Sequence, residues 1–309
     1  LARAPRRDRG GARAMIEAAP APARFSDYLE LTKPRLSLLS VLTALVGYFA
    51  ARPAPAPLKV ALLALGTSLA AGGVASLNQW MESDTDGRMN RTSQRPIPTG
   101  KIAGGSAFVL GWLMCIAALM LIFAQVGRLA ALFTLLTIAA YLGWYTPAKK
   151  FSRWSTEIGA IAGAFPPLIG WSAARGSVSA LGWILFGVLF FWQIPHFMAI
   201  AWTYRKDYST VKFPMLPVRD GTGGKVAAWA FTATLALVAV SLLPAFLGLD
   251  SPWYGAAAGA VGALFLWRAA GFLRPSGRDA SARRLFLFSL AYLPLLLGLL
   301  VADRMLVRP

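Results

Sequence analysis

The chain has 309 residues, of which 57% are hydrophobic and only 14% are charged, whereas a soluble domain has roughly 25% charged residues. This balance excludes an ordinary soluble protein. The net charge of +18 comes from basic residues scattered between apolar stretches, which excludes the contiguous basic face of a nucleic-acid-binding protein. We therefore expect a lipid bilayer as the main environment and no nucleic-acid partner.

The first residues of the chain are rich in arginine and lack the long apolar core of a secretory signal. We expect residues 1–28 to be a disordered basic tail and residues 29–309 to form one membrane-embedded domain. An organellar transit peptide, or an upstream start with Met15 as the true first residue, would also fit this tail. The single cysteine, Cys115, lies in an apolar run and offers neither a disulfide nor a paired metal site.

Apolar segments near the twenty residues needed to cross a bilayer recur after residue 35. They predict helices, because a bilayer leaves no water for unpaired backbone groups and the segments are too long and uniformly apolar for barrel strands. The predicted fold class is all-α: a polytopic membrane bundle of about nine helices around a central cavity open near the cytoplasmic side. The predicted spans are residues 35–51, 58–80, 102–124, 128–146, 156–174, 180–202, 226–248, 252–272 and 284–302.

The basic residues predict an orientation for this bundle. Of the 31 Lys and Arg residues, 25 lie in the N-terminal tail, in the loops after the second, fourth, sixth and eighth spans, or in the span ends beside them. Positively charged loops stay on the cytoplasmic side of a membrane. We therefore expect the N-terminus in the cytoplasm of a bacterial inner membrane, or in the matrix if the protein is mitochondrial.

The cytoplasmic end of the second span carries three acids within five residues. If the helix continues through them, Asn78, Glu82 and Asp86 share one face, because they follow one another at intervals of four residues. Asp84 points to another face but remains in our candidate metal set as a neighbouring carboxylate. Acids at a membrane boundary usually mark a functional site, and oxygen ligands of this kind suit Mg²⁺. The alternative is a hydrated loop with incidental acids.

Basic residues accompany these acids in the cytoplasmic loops. Positive-inside topology explains many of them, but it does not explain the acids beside them. Acids for a metal and guanidinium or ammonium groups for phosphate oxygens together describe a site for a metal-bound polyphosphate. The candidate phosphate-binding residues are Arg91, Arg95, Lys149, Lys150, Arg153, Lys206 and Lys212.

The loops after the second and sixth spans form a weak repeat. Each carries acid, then basic residues, then a pair of prolines and a glycine; Asp207 is the acid of the second loop. Because both loops follow parallel helices to the same side, we expect them to face each other over one cavity. Pro166 and Pro167, in the fifth span, predict a kink or an opened backbone.

These segments resemble the UbiA-type intramembrane prenyltransferases over nearly all of the chain after residue 28. The Asn-x-x-x-Asp-x-x-x-Asp pattern identifies only the superfamily, whereas Arg-Thr-x-x-Arg-Pro, Pro-Pro-Leu-Ile-Gly-Trp and Pro-His-Phe are typical of its haem branch. The matching segments are LTKPR at 31–35, NQWMESDTDGRMNRTSQRPIPTG at 78–100, YTPAKKFSRWSTEIGAIAGAFPPLIGW at 145–171, WQIPHF at 192–197 and DYSTVKFPMLPVRDG at 207–221.

The resemblance implies farnesyl transfer from farnesyl diphosphate to the 2-vinyl group of haem B, with addition of water, giving haem O and diphosphate for haem-copper oxidases. Mg²⁺ is the implied cofactor, haem B is a substrate, and haem A synthase or oxidase assembly factors are expected partners. By position, Asn78, Glu82 and Asp86 match the first metal and diphosphate motif, and Asp207 matches the second acidic segment. Glu82 replaces the usual Asp, and Asp207 stands without a second close acid.

His196 is the only histidine of the chain and lies within the sixth span. The resemblance and the cost of a polar side chain at this depth favour contact with haem, through the iron or a propionate. The alternative is a histidine that is hydrogen-bonded between helices.

Three other functions fit parts of the pattern. A prenyltransferase of a quinone precursor or of chlorophyll is the nearest alternative. A transporter or channel is less well supported, because the acids cluster at one interface and not near the bilayer midplane. A non-catalytic membrane scaffold would not require paired acidic and basic loops.

Overall fold

The computed structural model describes residues 23–51 and 56–307, and every regular element in these two ranges is a helix. The helices are α1 (Phe25–Leu31), α2 (Pro34–Ala50), α3 (Pro57–Asp86), α4 (Gly104–Leu121), α5 (Arg128–Ala139), α6 (Thr146–Phe151), α7 (Ser155–Ala164), α8 (Pro166–Arg175), α9 (Ala180–Thr203), α10 (Arg205–Thr210), α11 (Leu216–Arg219), α12 (Gly224–Phe246), α13 (Pro252–Leu273) and α14 (Arg278–Ala302). Turns of π-helix continue α4, α5 and α14 over Ile122–Val126, Ala140–Tyr145 and Asp303–Val307.

Each predicted span coincides with helical structure, so the all-α prediction is confirmed. Seven continuous helical segments in the described ranges are long and apolar enough to cross a membrane. The other two predicted spans are α2, with 17 residues, and the pair α7 and α8. The protein is therefore an integral membrane protein.

Helix α3 extends six residues beyond the predicted span, through the whole acidic segment to Asp86. No proline or glycine interrupts the chain between Asn78 and Asp86, so the backbone can remain helical. Acids at a helix C-terminus oppose the helix dipole. Their helical placement therefore depends on cationic partners from other segments.

The predicted fifth span is broken at Phe165, directly before Pro166 and Pro167. Neither proline can donate a backbone hydrogen bond to the preceding turn, which explains the break. The broken segment packs closely on α2. A Cβ atom at Gly170 would overlap the backbone carbonyl of Ala44, so only glycine permits this approach.

A carboxylate accepts backbone N–H groups at the N-terminal end of α1 and of α12. The expected disordered tail lies mostly outside the described residues, but its last part, from Phe25 onwards, belongs to α1. The Asp27 carboxylate accepts the Arg24 backbone N–H at 2.8 Å and so stabilises this first turn. At α12, the Asp220 carboxylate accepts the backbone N–H groups of Lys225 (2.7 Å) and Val226 (3.0 Å).

Candidate active site

The spacing of four residues in α3 places three of its polar side chains on one buried face. Asn78, Glu82 and Asp86 are 1%, 5% and 0% exposed, as the sequence predicts for a helix that continues to Asp86. Asp84 is exposed on another face. The structure therefore brings three of the four candidate ligands of α3 together and leaves Asp84 outside the group.

Each of the two buried carboxylates has a cationic partner from a different segment. The Lys149 Nζ, at the end of α6, donates to the Glu82 Oε1 at 2.8 Å. Arg95, in the loop after α3, donates to the Asp86 Oδ2 at 2.5 Å. Charged hydrogen bonds of this kind are stronger than neutral ones and offset part of the cost of burial.

Lys33 is a third cation of the site that the sequence analysis did not identify. Its Nζ donates to the Asn78 Oδ1 at 3.0 Å. Burial, with the positive charges of Arg95 and Lys149, lowers the pKa of the Lys33 ammonium to about 7, although Glu82 and Asp86 oppose this shift. Lys33 belongs to the LTKPR segment that resembles the family, but nothing in this segment alone indicates a contact with α3.

The backbone of Lys33 is also unusual. It has a φ of 47° and stands directly before Pro34 at the start of α2. A non-glycine residue with positive φ is strained, and such strain is common at functional sites. The turn between α1 and α2 therefore directs Lys33 to α3 at a conformational cost.

The donor set fits Mg²⁺ bound together with a substrate. Within the described residues, no three His, Cys, Asp or Glu side chains converge as a preformed metal cage. Mg²⁺ usually takes only one or two carboxylates and relies on phosphate oxygens and water for its remaining positions. The Asp86 Oδ1 is buried and accepts no hydrogen bond in the described structure, so it has a lone pair available for a cation.

Asp207, the acid of the second loop, holds the first loop in place. Its two carboxylate oxygens accept the backbone N–H groups of Asn90 (2.9 Å) and Arg91 (3.3 Å). Arg91 in turn donates to the Tyr208 hydroxyl at 3.1 Å and lies over the Tyr204 ring. The two loops therefore contact each other, as the repeat in the sequence predicts.

The remaining candidate phosphate-binding residues lie outside the buried cluster. Lys150, Arg153, Lys206 and Lys212 are exposed, and Arg153 lies over the Trp154 ring. Their positions suit attraction of an anionic substrate more than direct contact with the buried acids. Lys149 and Arg95 are the two predicted bases that contact the acids.

His196 lies in α9, where it faces α14. The His196 Nδ1 is 2.8 Å from the Ser289 Oγ, and its ring stacks on Trp192 and packs against Phe286. The sequence analysis gave a hydrogen bond between helices as the alternative to haem contact, and this hydrogen bond is present. It uses only one of the two ring nitrogens.

Three cations and two acids in one buried cluster can bind a polyphosphate with a divalent cation. Two aromatic rings lie beside the cluster, because Lys149 stands over the Tyr145 ring at 4.4 Å and Tyr145 packs edge-on against Tyr141. Ring faces stabilise cations. The arrangement therefore suits the loss of a diphosphate group and the formation of a carbocation next to it.

Known proteins share both the sequence and the fold. A model of the UbiA prenyltransferase family matches residues 40–291. A protoheme IX farnesyltransferase from Opitutus terrae is 68% identical, over 92% of this chain and 96% of that protein. Another protoheme IX farnesyltransferase, from Solibacter usitatus, is 40% identical over 90% of this chain and 98% of that protein.

Solved structures share the helical architecture at lower identity. A digeranylgeranylglyceryl phosphate synthase superposes with a TM-score of 0.77 at 18% identity, over 91% of this chain and 98% of that one. A UbiA homologue from Archaeoglobus fulgidus bound to GPP and Mg²⁺ has a TM-score of 0.64 at 15% identity, over 89% of this chain and 99% of that one. At these identities the likeness shows the fold.

The family model covers most of the predicted membrane domain, and the similar sequences cover nine tenths of the chain. The transporter and scaffold alternatives lose their support. The resemblance inferred from the motifs is confirmed: the chain belongs to the UbiA prenyltransferase family.

Proposed function

We propose that this prenyltransferase moves a farnesyl group from farnesyl diphosphate to the 2-vinyl group of haem B. Water adds in the same reaction, and the products are haem O and diphosphate. The acceptor is supported by the 68% identity to a protein named protoheme IX farnesyltransferase. The donor site is supported chiefly by one observation, the buried pairing of Glu82 with Lys149 and of Asp86 with Arg95.

Asn78, Glu82 and Asp86 are the residues that would hold Mg²⁺. Bound Mg²⁺ would stabilise the charge that develops on the diphosphate leaving group. Asp207 is a fourth candidate ligand, but its carboxylate must first release the backbone N–H groups of Asn90 and Arg91. One metal held by α3 is therefore the simplest arrangement.

Lys149, Arg95 and Lys33 can exchange their present partners for phosphate oxygens when the diphosphate enters. This exchange costs less than leaving a buried charge unpaired. Each cation gains a phosphate oxygen as its neighbour, and each carboxylate gains the proposed Mg²⁺. Arg95 offers two parallel donors, which suits a phosphate group. The exposed bases of the two loops, among them Arg91, would attract the substrate from solution.

Breaking the allylic C–O bond sends its electron pair to the diphosphate and leaves a farnesyl cation. The π electrons of the haem vinyl group form the new C–C bond with this cation, and water adds to the vinyl carbon next to the pyrrole and loses a proton. Tyr141 and Tyr145 lie where their rings can stabilise the first cation. The apolar interior limits premature capture of that cation by water.

His196 is the proposed contact for haem, because its imidazole is the only one in the chain and lies deep in α9. Thr203, the last residue of α9, is seven residues further on, so His196 lies about 10 Å below that helix end. We further propose the bacterial inner membrane, with a cytoplasmic N-terminus, as the location. Haem A synthase or oxidase assembly factors are the proposed recipients of the product.

Product analysis of the purified protein tests this function. The protein is incubated with farnesyl diphosphate, haem B and Mg²⁺, and parallel samples contain 4-hydroxybenzoate as a quinone precursor in place of haem. Mass spectrometry should find haem B increased by one farnesyl group and one hydroxyl group. Prenylated 4-hydroxybenzoate without any haem product would overturn the proposed acceptor and leave only the general prenyltransferase activity.

A further inference from the structure

Ser289 of α14 stands between His196 and the helix backbone. Its Oγ lies 2.8 Å from the His196 Nδ1 and 2.6 Å from the Phe286 carbonyl oxygen, to which it donates. The Ser289 side chain is fully buried. Water therefore does not compete for either hydrogen bond.

The single hydroxyl hydrogen of Ser289 determines which ring nitrogen of His196 carries the proton. A serine hydroxyl has a single hydrogen, and here the Phe286 carbonyl receives it. The hydroxyl can then only accept at its contact with His196, so the His196 Nδ1 carries the proton and donates. In a neutral imidazole the other nitrogen, Nε2, is left with a free lone pair.

The ring of His196 is also fixed in orientation. Trp192 stacks on it with ring centroids 4.8 Å apart and an interplanar angle of 24°, while Phe286 packs at 5.0 Å. The Trp192 indole is itself held, because its Nε1 donates to the Ser289 carbonyl oxygen at 2.8 Å. Rotation of the imidazole would disrupt these contacts together.

The Nε2 atom of His196 is available to bind a ligand. It has no hydrogen-bond partner among the residues that the structure describes, and the His196 side chain is only partly buried. Histidines that bind metals typically donate their second ring N–H to a fixed acceptor, which sets the tautomer and makes the ligating nitrogen more basic. Ser289 is such an acceptor.

We propose that Ser289 is a positioning residue that holds His196 as the Nδ1–H tautomer, so that its Nε2 serves as an axial ligand to the iron of the haem substrate. The proposal rests on the proposed function, because it deepens the assignment of haem as acceptor. It adds the atom that binds the iron and the residue that orients it.

Haem titration of the purified full-length protein tests the proposal through the Soret band. His196→Ala should remove the spectrum of histidine-ligated haem, and imidazole added to His196→Gly should restore it. Ser289→Ala should weaken haem binding by about 10-fold or more and shift the bound spectrum, as loss of an outer acceptor does at other metal sites. Ser289→Thr keeps a hydroxyl and should retain the wild-type spectrum.

Ser241→Ala is the matched control. Ser241 is another fully buried serine, its Oγ lies 3.3 Å from the Tyr292 hydroxyl, and it is not among the contacts of His196. Ser289→Ala and Ser241→Ala should lower the unfolding temperature similarly, but only the first should change the haem spectrum. A wild-type haem affinity and spectrum in Ser289→Ala would overturn the positioning role.

The outcomes separate this inference from the proposed function. If haem O forms but His196→Ala binds haem with an unchanged spectrum, the axial ligand is wrong while the farnesyl transfer stands. If the wild-type protein forms no product from haem B, the proposed function fails. A spectrum that changes equally in Ser289→Ala and Ser289→Thr would show that packing, and not the hydroxyl, controls the ring.

Discussion

The Asp86→Asn variant tests the candidate donor site most directly. The substitution keeps the size of a side chain that is fully buried, but it removes the negative charge beside Arg95. The amide oxygen can still accept from Arg95, so we expect the free energy of unfolding to fall by only about 1–3 kcal/mol. A neutral amide is a weaker ligand for Mg²⁺ than a carboxylate.

The expected loss of activity is much larger than the loss of stability. Metal stabilisation of a leaving group contributes several kcal/mol to the transition state, and a loss of about 4 kcal/mol lowers the rate roughly 10³-fold. Transfer of labelled farnesyl to haem, measured over a range of Mg²⁺ concentrations, gives the rate, and thermal unfolding in detergent gives the stability. The control is Asp84→Asn, which removes an exposed acid of the same helix and should be fully active. Full activity of Asp86→Asn at limiting Mg²⁺ would refute the site.

Three further predictions concern the site and its support. Lys149→Ala should raise the KM for farnesyl diphosphate at least about 10-fold, since it removes a charged contact. Lys150→Ala, which changes the exposed neighbour, should leave the KM within about 2-fold of wild type. Equal KM values for the two variants in steady-state assays would contradict the role of Lys149 in binding the diphosphate. Gly170→Ala should lower stability by about 3 kcal/mol in thermal unfolding, because its Cβ meets backbone, while Gly143→Ala, with open space around it, should be neutral. Burial would raise the pKa of the Asp220 carboxyl, but its hydrogen bonds hold that pKa below the ordinary value. The Asp220 carboxylate therefore stabilises the fold fully above about pH 4, and this contribution declines as the pH falls through the lowered pKa. Asp220→Ala should lower the free energy of unfolding by roughly 1 kcal/mol at pH 7, and this difference from the wild type should disappear in acid unfolding curves.

The sequence predicts the parts of the site that depend on local periodicity. Helical spacing alone places Asn78, Glu82 and Asp86 on one face, and the structure agrees. Apolar runs give the positions of the spans, because the bilayer fixes the length of each one. The predicted span ends at residue 80, six residues before the end of α3, because the partners that keep the polar residues helical are not visible in the sequence.

Long-range contacts account for what the sequence does not predict. Lys33 meets Asn78 across 45 residues of sequence, and Asp207 meets the Asn90 backbone across 117. A single sequence does not identify such residue pairs, although the repeat in the two loops indicates that these loops lie close together. It offered a metal role for Asp207 from the family pattern, whereas the structure shows a hydrogen-bonded contact with the neighbouring loop. It likewise could not separate Lys149, which is inside the cluster, from the exposed Lys150.

The two ion pairs of α3 also bear on how the protein is made and stored. Small zinc domains fold only when the metal binds, because the free energy of metal binding supplies their folding free energy. Here the buried acids already have internal cations in Lys149 and Arg95, so biogenesis can finish before any ion or lipid diphosphate is at hand. The fold of the site therefore does not require the proposed Mg²⁺ or the substrate to be in place, and both would bind to an already folded protein.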